Sequence, residues 1–329
     1  REPYRMGTTT ANFLEIGIGA GNAMGDAAVA SATDLSALYW NPAGLAWMEE
    51  SQAMFMYQPW VVEVNSAFAG FGLVMPTIGT ISFGVFGFSY GDIDVTTLDY
   101  QDGTGEQYTA YDYSFSLSYA RKLVNWFSFG ANAKYVQSKI WHSSASAFAL
   151  DLGVMVQTQF FSPTGKQSDG LKIGMSIANY GSRMQYDGFD LLFPVDIDED
   201  AHGNYQNLQG KYKMSEWELP LVFRVGIAVT PIVTAQHKLT LEADALHPNN
   251  MSESINLGAE YQFSVPGFGA FFLRGGYKGL FLVDSVYGPS FGGGIKWYLS
   301  PNQYLNLDYS YRSIGDLGNI HCSGINFGF

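Results

Sequence analysis

Apolar and polar side chains alternate along most of this chain. Clear examples are residues 113–119, 239–245, 255–263 and 305–311. Because successive side chains of a β-strand point to opposite faces, each of these segments has one apolar face and one polar or small face. A soluble β-sandwich shows the same alternation, so the pattern predicts strands without deciding what covers their apolar faces.

The alternation predicts about fourteen strands, an even number, as is usual in bacterial barrels. Their predicted bounds are 51–59, 64–76, 78–91, 107–121, 126–141, 144–159, 171–181, 218–230, 236–246, 252–264, 268–279, 287–299, 302–313 and 319–329. Every second connection is short, at 76–77, 123–125, 264–267 and 300–301. The longest connections, 92–106 and 182–217, both belong to the other set. Bacterial barrels have short periplasmic turns and longer external loops, so we predict that the set of short connections is periplasmic. Connection 160–170 belongs to that set but is longer than this rule predicts.

Composition decides between a sandwich and a membrane barrel. The 329 residues are 16% aromatic and include 38 glycines, but only 14% are charged, against about 25% in a typical soluble domain. No apolar run approaches the roughly 18 residues of a membrane-spanning helix. The chain has 17 Lys and Arg against 30 Asp and Glu, a net charge of −13, which argues against a nucleic-acid partner. We therefore predict an all-β protein, a transmembrane antiparallel β-barrel.

The first fifty residues do not alternate. They contain a Gly- and Ala-rich stretch at 16–25 and a segment at 34–46 that predicts a short helix, capped by Thr33 or Asp34. Asn41-Pro42 should end that helix, and Pro42 should begin a second turn. We expect residues 1–50 to form a hatch inside the lumen of a barrel built from residues 51–329. The hatch residues that we single out are Tyr39, Trp40, Asn41, Pro42, Ala43 and Gly44, with the aromatic pair against the lumen wall.

Several segments carry recognisable motifs: 5–20 (RMGTTTANFLEIGIGA), 24–27 (MGDA), 34–46 (DLSALYWNPAGLA), 150–153 (LDLG), 174–181 (GMSIANYG) and 219–226 (LPLVFRVG). With them the chain resembles the PorV/PorQ family of outer-membrane barrels, which is related to the FadL long-chain fatty-acid transporters. The resemblance implies a fourteen-stranded barrel with a hatch in the outer membrane of a Gram-negative bacterium. It also implies a role in type IX secretion, in which such a protein receives cargo by a C-terminal domain and delivers it to the attachment machinery. Two departures stand out: Gly21-Asn22 replace a usual basic and small pair, and Asp26 replaces a usual glycine.

The alternation places a nearly balanced set of charges on the lumen side. The set is Lys134, Asp151, Lys172, Arg224, Lys238, Glu242, Asp244, Glu260, Arg274, Lys278, Lys296 and Asp308. Because an unpaired charge in a narrow lumen is costly, we expect a paired network that fixes the hatch rather than an ion-selective pore.

One wall region departs from a polar lumen. Phe86, Phe88 and Tyr90 should point inward near the external rim, and we expect Met155 and Phe272 to join them. Such a patch could hold an acyl chain or the apolar anchor of a peptide. Packing against the hatch residues Phe13, Leu14, Leu38 and Trp40 is the interpretation that we favour, because large apolar side chains usually pack in cores.

The external loops are acidic. Asp196, Asp198, Glu199 and Asp200 form the start of a calcium-binding pattern, but Ala201 and Asn207 do not fit an EF-hand. We expect a solvated loop that favours a partner with a basic surface, with Ca²⁺ as the lesser alternative and no other metal or cofactor. Bound lipid or detergent is the remaining ligand to expect, since outer-membrane lipid surrounds such a barrel.

The residues offer little for catalysis. Only His142 has neighbouring hydroxyls, Ser143 and Ser144, and adjacent side chains on a strand should diverge. The leading hypothesis is a non-enzymatic barrel of PorV/PorQ type that docks or shuttles secreted surface proteins. The alternative is FadL-type transport of long-chain fatty acids or other hydrophobic compounds, and a third possibility is an adhesive surface barrel.

Overall fold

A computed structural model describes residues 8–60, 64–197, 208–282, 285–315 and 318–329. Within these ranges, fourteen long antiparallel strands form one closed barrel, because the first strand pairs with both the second and the last. The barrel strands are β1 (Gln52–Pro59), β2 (Asn65–Met75), β3 (Gly79–Asp94), β4 (Gln107–Val124), β5 (Phe127–Ile140), β6 (Ser143–Gln157), β7 (Lys172–Gly181), β11 (Val222–Val233), β12 (His237–Pro248), β13 (Ser254–Val265), β14 (Gly269–Leu280), β15 (Pro289–Ser300), β16 (Gln303–Ser313) and β17 (Asn319–Gly328).

The remaining elements are short. Three strands lie in the connection between β7 and β11: β8 (Asp187–Gly188), β9 (Leu192–Val195) and β10 (Leu208–Lys211). One α-helical turn, α1 (Ala37–Trp40), is accompanied by 3₁₀ turns at Asn12–Glu15, Gly19–Met24, Pro42–Trp47, Gln167–Asp169 and Phe189–Leu191. None of the helices among the described residues has the length and apolar character needed to cross a membrane.

The fold predicted from the alternation is confirmed. Outward positions of neighbouring strands match in apolar character, as where Phe71 pairs with Phe83 and Phe83 with Leu117. The largest displaced boundary is the start of β11, which lies at Val222 instead of 218. Pro220 causes this shift, because it has no N–H for the sheet and its carbonyl instead accepts a hydrogen bond from a neighbouring side chain.

Most of the short turns lie at one end of the barrel, and the longest connection lies at the other. Short turns join β2 to β3, β4 to β5, β13 to β14 and β15 to β16, and we call this end the turn end. The opposite, loop end carries the long connections from β3 to β4 and from β7 to β11. The predicted parity is met only in part, because the connection from β6 to β7 (residues 158–171) lies at the turn end and is longer than the connection from β3 to β4 (residues 95–106).

Residues 8–50 lie among the inward-facing side chains of the wall, and we call them the hatch segment. Their backbone approaches wall glycines closely: a Cβ atom on Gly276 would lie 2.2 Å from the carbonyl carbon of Met24. One on Gly174 would lie 2.2 Å from the carbonyl oxygen of Val29. Inward glycines are therefore required where the hatch segment touches the wall. The segment starts at the loop end, where the Thr10 N–H donates to the Glu218 carbonyl, and it leads into β1 at the turn end.

Candidate functional site

The helical turns of the hatch segment follow from local capping. The Asp34 carboxylate accepts hydrogen bonds from the backbone N–H of Ser36 at 3.0 Å and from its hydroxyl at 2.5 Å. Helix α1 ends at Asn41, whose backbone is extended at φ −162°. Pro42 then begins the next turn, and the Asn41 side chain caps it by accepting from the Ala43 N–H at 3.1 Å.

Asn41 also ties the hatch segment to the wall. Its Nδ2 donates to the carbonyl oxygens of Val29 and of Val154 in β6, both at 3.0 Å. A Cβ atom on Gly153 would lie 2.0 Å from Asn41 Oδ1, so glycine is needed at that position of β6. The Ser128 hydroxyl donates to the Ala43 carbonyl at 3.0 Å. These contacts hold the Asn-Pro-Ala turn against β5 and β6.

The two aromatic residues of α1 bond to the earlier part of the hatch segment. Trp40 Nε1 donates to the Ile18 carbonyl at 2.9 Å, and the Tyr39 hydroxyl donates to the Glu15 carbonyl at 2.8 Å. Arg224 on β11 lies over the Tyr39 ring at 4.9 Å and donates to the Tyr39 carbonyl at 3.2 Å. Gly44 packs against the backbone of the hatch segment itself, because a Cβ there would lie 2.1 Å from a carbonyl oxygen.

The apolar residues of β3 pack on the hatch segment. The rings of Phe86 and Phe13 are parallel, with centroids 6.0 Å apart. Phe88 lies edge-on to Tyr90 at 5.2 Å, and the Tyr90 hydroxyl donates to Asp112 at 2.7 Å. The cavity left between this region and the hatch segment is only about 40 Å³, little more than the volume that one water molecule occupies in the liquid, about 30 Å³.

Met155 and Phe272 do not join this region, and our expectation for them is wrong. Strand β6 runs toward the turn end and ends at Gln157, two residues after Met155. Strand β14 begins at the turn end at Gly269, so Phe272 also lies near that end. Both side chains point inward, but they lie at the opposite end of the lumen from residues 86–90 of β3. The alternation predicts which side chains point inward, but it does not predict their depth in the lumen.

Wall carboxylates hold the hatch segment mainly through its backbone. Asp244 Oδ2 accepts from the N–H groups of Ala28 and Val29 at 2.8 and 3.0 Å. Glu242 Oε1 accepts from the N–H of Ala30 at 2.7 Å. Three consecutive amides are thereby bound by two neighbouring side chains of β12. Part of the expected network of paired charges therefore consists of hydrogen bonds from backbone N–H groups to carboxylates. The pattern of apolar and polar residues does not predict such bonds.

Asp26 makes the ion pairs between the hatch segment and the wall. Lys278 Nζ lies 2.7 Å from its carboxylate, and the Arg312 guanidinium contacts the other oxygen. Asp26 has a φ of 60°, a left-handed conformation that glycine adopts at less cost than aspartate. Arg312 was missing from the predicted lumen set, although it has the same parity as Asp308 on β16 and could have been found that way.

Other charges pair within the wall. Lys134 lies 2.7 Å from Asp151, and Arg274 lies 2.7 Å from Glu260 and 2.5 Å from Asp308. Among the described residues, three lysines at inward positions form no ion pair with a carboxylate: Lys122, Lys172 and Lys296. The nearly balanced set is thus only partly paired.

At the loop end, a groove runs between the β3–β4 hairpin and the connection from β7 to β11. Its cavity measures about 680 Å³, and we call it the rim groove. Its apolar and aromatic lining consists of Val95, Tyr108, Ile140, Trp141, Tyr186, Leu191, Met214 and Trp217. Tyr108 and Trp141 stack at 5.4 Å, and Asp94 and Asp190 supply negative charge. Sequence reasoning missed this groove, because its lining comes from three connections that are distant in the chain.

His142 and Ser143 both contact Asp190, so the expectation that they diverge is wrong. Trp141, at φ 51°, turns the chain just before them. Asp190 accepts from His142 Nδ1 at 2.9 Å and from the Ser143 hydroxyl at 3.2 Å. The hydrogen bond from His142 lowers the pKa of Asp190. In a catalytic triad the serine hydroxyl donates to the imidazole, which in turn donates to the carboxylate. Here the Ser143 hydroxyl donates directly to the Asp190 carboxylate, so these three residues do not have that arrangement.

The acidic loop at 196–200 lies mostly outside the described residues. Of the four side chains singled out, Asp196 is described, whereas Asp198, Glu199 and Asp200 are not. The part of the chain that the structure covers holds no group of three or more His, Cys, Asp or Glu side chains suited to a metal ion. The calcium alternative stays a prediction.

The sequence matches the family model described as type IX secretion system protein PorV over residues 1–198. The chain belongs to the PorV family. No curated protein has a sequence that matches it. Its structure is similar to the toluene transporter TodX of Pseudomonas putida, with a TM-score of 0.57, 12% identity and coverage of 94% of this chain and 96% of the other.

Two further solved structures are similar. The monoaromatic hydrocarbon channel CymD has a TM-score of 0.57 at 13% identity, covering 95% of this chain and 98% of its own. The toluene transporter TbuX of Ralstonia pickettii has a TM-score of 0.55 at 12% identity, with coverage of 94% and 97%. At these identities the likeness shows the fold. The PorV-family chain is therefore an outer-membrane β-barrel, and its family associates it with type IX secretion.

Proposed function

We propose that this PorV-family barrel docks secreted surface proteins in the outer membrane of a Gram-negative bacterium and passes them to the attachment machinery, without catalysis and without a cofactor. The observation that carries the proposal is the difference in volume between two cavities, one beside Phe86 in the lumen and one at the loop end. The lumen beside Phe86 has a cavity of about 40 Å³, whereas the rim groove above it measures about 680 Å³. A protein partner can reach the rim groove but not the small cavity beside Phe86.

The chemistry of the rim groove suits a peptide segment of a cargo C-terminal domain. Tyr108, Trp141 and Trp217 offer large amphipathic rings, the residue type that dominates binding energy at protein interfaces. Asp94 and the β3–β4 connection add negative charge around them. A segment with apolar anchors and flanking basic residues is complementary to this surface, and the charge should mainly accelerate association.

FadL-type transport is the second candidate, favoured by the fold shared with hydrocarbon channels. It requires space for an apolar ligand beside Phe86 and Phe88. Phe13 of the hatch segment occupies that space, so transport would require the Phe13 ring to leave its stacked position. Outer-membrane lipid bound at the lumen patch is the ligand to expect in that case.

A binding assay with matched variants separates the two candidates. The barrel in detergent is titrated with a purified C-terminal domain of a secreted protein from the same organism, using interferometry. Trp217→Ala should weaken binding by roughly tenfold or more, as expected for a central aromatic anchor. Trp297→Ala serves as the control and should bind like the parent chain, because Trp297 is also exposed, at 50% against 38% for Trp217, but lies near the turn end.

Mass spectrometry of the same preparation tests the alternative. Stoichiometric fatty acid in the purified barrel, together with no measurable affinity for the C-terminal domain, would favour transport. Equal weakening by both tryptophan variants would count against the rim groove as the docking surface.

A further inference from the structure

At one depth in the lumen, neighbouring wall strands each have an inward-facing glycine. The inward-facing residues before and after that glycine on the same strand are polar. On β14 these positions are Arg274, Gly276 and Lys278, and β13 repeats the order around Gly258. The backbone of Met24 lies over both glycines, with its carbonyl oxygen 2.6 Å from the position of a Cβ on Gly258. A single crossing of the hatch segment, residues 19–33, therefore separates polar groups on its turn side from polar groups on its loop side.

A cavity of about 360 Å³ lies on the turn side of this crossing. The hatch segment lines it with small residues of the crossing and with Asp34, Trp47, Glu49 and Glu50. The charged residues of its wall lining are Lys172, Lys238, Glu260, Arg274 and Lys296. A cavity of this size and polarity holds water, since each of these groups needs hydrogen-bond partners. We call it the turn-end cavity.

The loop side of the crossing is also polar. Asp26 contacts Lys278 and Arg312 there, and Asn256 Nδ2 donates to the Asp26 carbonyl at 3.0 Å. Arg312 also donates to the Asn22 carbonyl at 3.3 Å. Water that passed the crossing would thus meet charged and amide groups on both sides, not an apolar barrier.

The crossing itself has few large side chains. Residues 19–33 are Gly, Ala, Ser and Thr except at Asn22, Met24, Asp26 and Val29. Because the crossing rests on wall glycines, few interlocked side chains oppose its movement along the wall. The following part of the hatch segment differs, since Leu35, Leu38 and Leu45 are buried in the apolar core. The hatch segment therefore has an apolar fixed part and a polar part held mainly by hydrogen bonds and ion pairs.

We propose that residues 19–33 form a gate for water and small ions along the β11–β16 side of the lumen. The ion pairs of Asp26 with Lys278 and Arg312 hold this gate closed. Displacement of the crossing joins the turn-end cavity to the polar groups around Lys278 and Arg312. Since cations and anions line both sides, the open path discriminates little between ions of opposite sign. This permeation pathway is separate from docking at the rim groove and does not depend on it.

The single cysteine reports on the position of the crossing. Cys322 on β17 is 5% exposed, and Asn22 Nδ2 lies 3.8 Å from its sulfur. In the variant Asp26→Asn, Lys278 and Arg312 lose their buried anionic partner. Removing one partner of a buried ion pair strongly destabilises the structure around it. We expect Cys322 to react at least about tenfold faster with a water-soluble, charged methanethiosulfonate, and bilayer conductance to rise in parallel.

A matched control lies where the fixed part of the hatch segment meets β5. Ser128→Ala removes the hydroxyl that donates to the Ala43 carbonyl at 3.0 Å and accepts from Trp47 Nε1 at 2.8 Å, without touching residues 19–33. It should leave both the reactivity of Cys322 and the conductance at parental values. The gel mobility shift of folded barrels on heating verifies that each variant is folded.

A crosslink provides the reverse test. In Asp26→Asn combined with Asn22→Cys, dibromobimane joins the new thiol to Cys322 and becomes fluorescent when both thiols have reacted. The crosslinked barrel should return to the parental conductance. The proposal is overturned if folded Asp26→Asn is as unreactive and as poorly conducting as the parent, or if the crosslink leaves its raised conductance unchanged.

Discussion

The indole nitrogen of Trp40 donates a hydrogen bond to the carbonyl oxygen of Ile18 at 2.9 Å. The ring is completely enclosed: Cβ atoms on Gly17 and Gly21 would lie 2.7 and 2.5 Å from its carbons. One side chain of α1 thus fixes Ile18, which lies between two 3₁₀ turns of the hatch segment, and excludes any side chain at Gly17 and Gly21. The hatch segment folds on itself as well as against the wall.

Trp40→Ala should loosen the hatch segment. Removing a buried tryptophan typically costs about 3–5 kcal/mol through lost burial and the remaining cavity. We expect a raised ion conductance in planar bilayers while the barrel stays folded, since the strands do not depend on this ring. Tyr180→Ala, an exposed aromatic substitution on β7, is the control. Unchanged conductance in Trp40→Ala would contradict the plug assignment.

A second prediction concerns Asp151, Lys134 and Asn179. Asp151 pairs with Lys134 at 2.7 Å and accepts from the Asn179 backbone N–H at 2.7 Å, where β7 bulges at φ 64°. Asp151→Ala leaves the buried Lys134 without its anion, so we expect the free energy of unfolding to fall by about 3–5 kcal/mol. Urea unfolding in lipid vesicles, followed by tryptophan fluorescence, measures the loss.

The double variant Asp151→Ala with Lys134→Met tests the cause. Removal of both charges should recover part of the loss, because no unpaired charge is then buried. A double variant less stable than Asp151→Ala would show that the ion pair is not the origin of the effect.

A third prediction concerns Phe13 and Phe86. Phe13→Ala removes the ring stacked on Phe86 and should enlarge the cavity of about 40 Å³ beside it. Dry apolar cavities of this kind bind small apolar ligands. We therefore expect the variant to bind a fluorescent fatty-acid analogue in detergent while the parent chain does not. Equal binding by the parent would favour transport over docking.

The strands were predictable from sequence because each contributes about ten residues to one repeated period-two pattern. Depth within the lumen was not: Phe86 and Met155 share an inward orientation but lie at opposite ends, since β3 and β6 run in opposite directions. The rim groove was unpredictable for a related reason, because Tyr108 of β4 and Trp217 of the β7–β11 connection line one groove although three barrel strands separate them in the chain. By contrast, parity could have revealed Arg312, two inward positions after Asp308.

Gly275 and Gly276 provide the last prediction, since they are adjacent on β14 but face opposite sides of the wall. A Cβ atom on Gly276 would lie 2.2 Å from the Met24 backbone, too close for the two to coexist, whereas one on Gly275 has its nearest neighbour at 3.7 Å. Gly276→Val should therefore displace the hatch segment, and Gly275→Val should not. Limited proteolysis with mass spectrometry of peptides from residues 8–50 measures the difference. We expect cleavage of the hatch segment to accelerate at least about tenfold in Gly276→Val only. Equal cleavage in both variants would mean that the contact between Met24 and β14 does not hold the hatch segment in place.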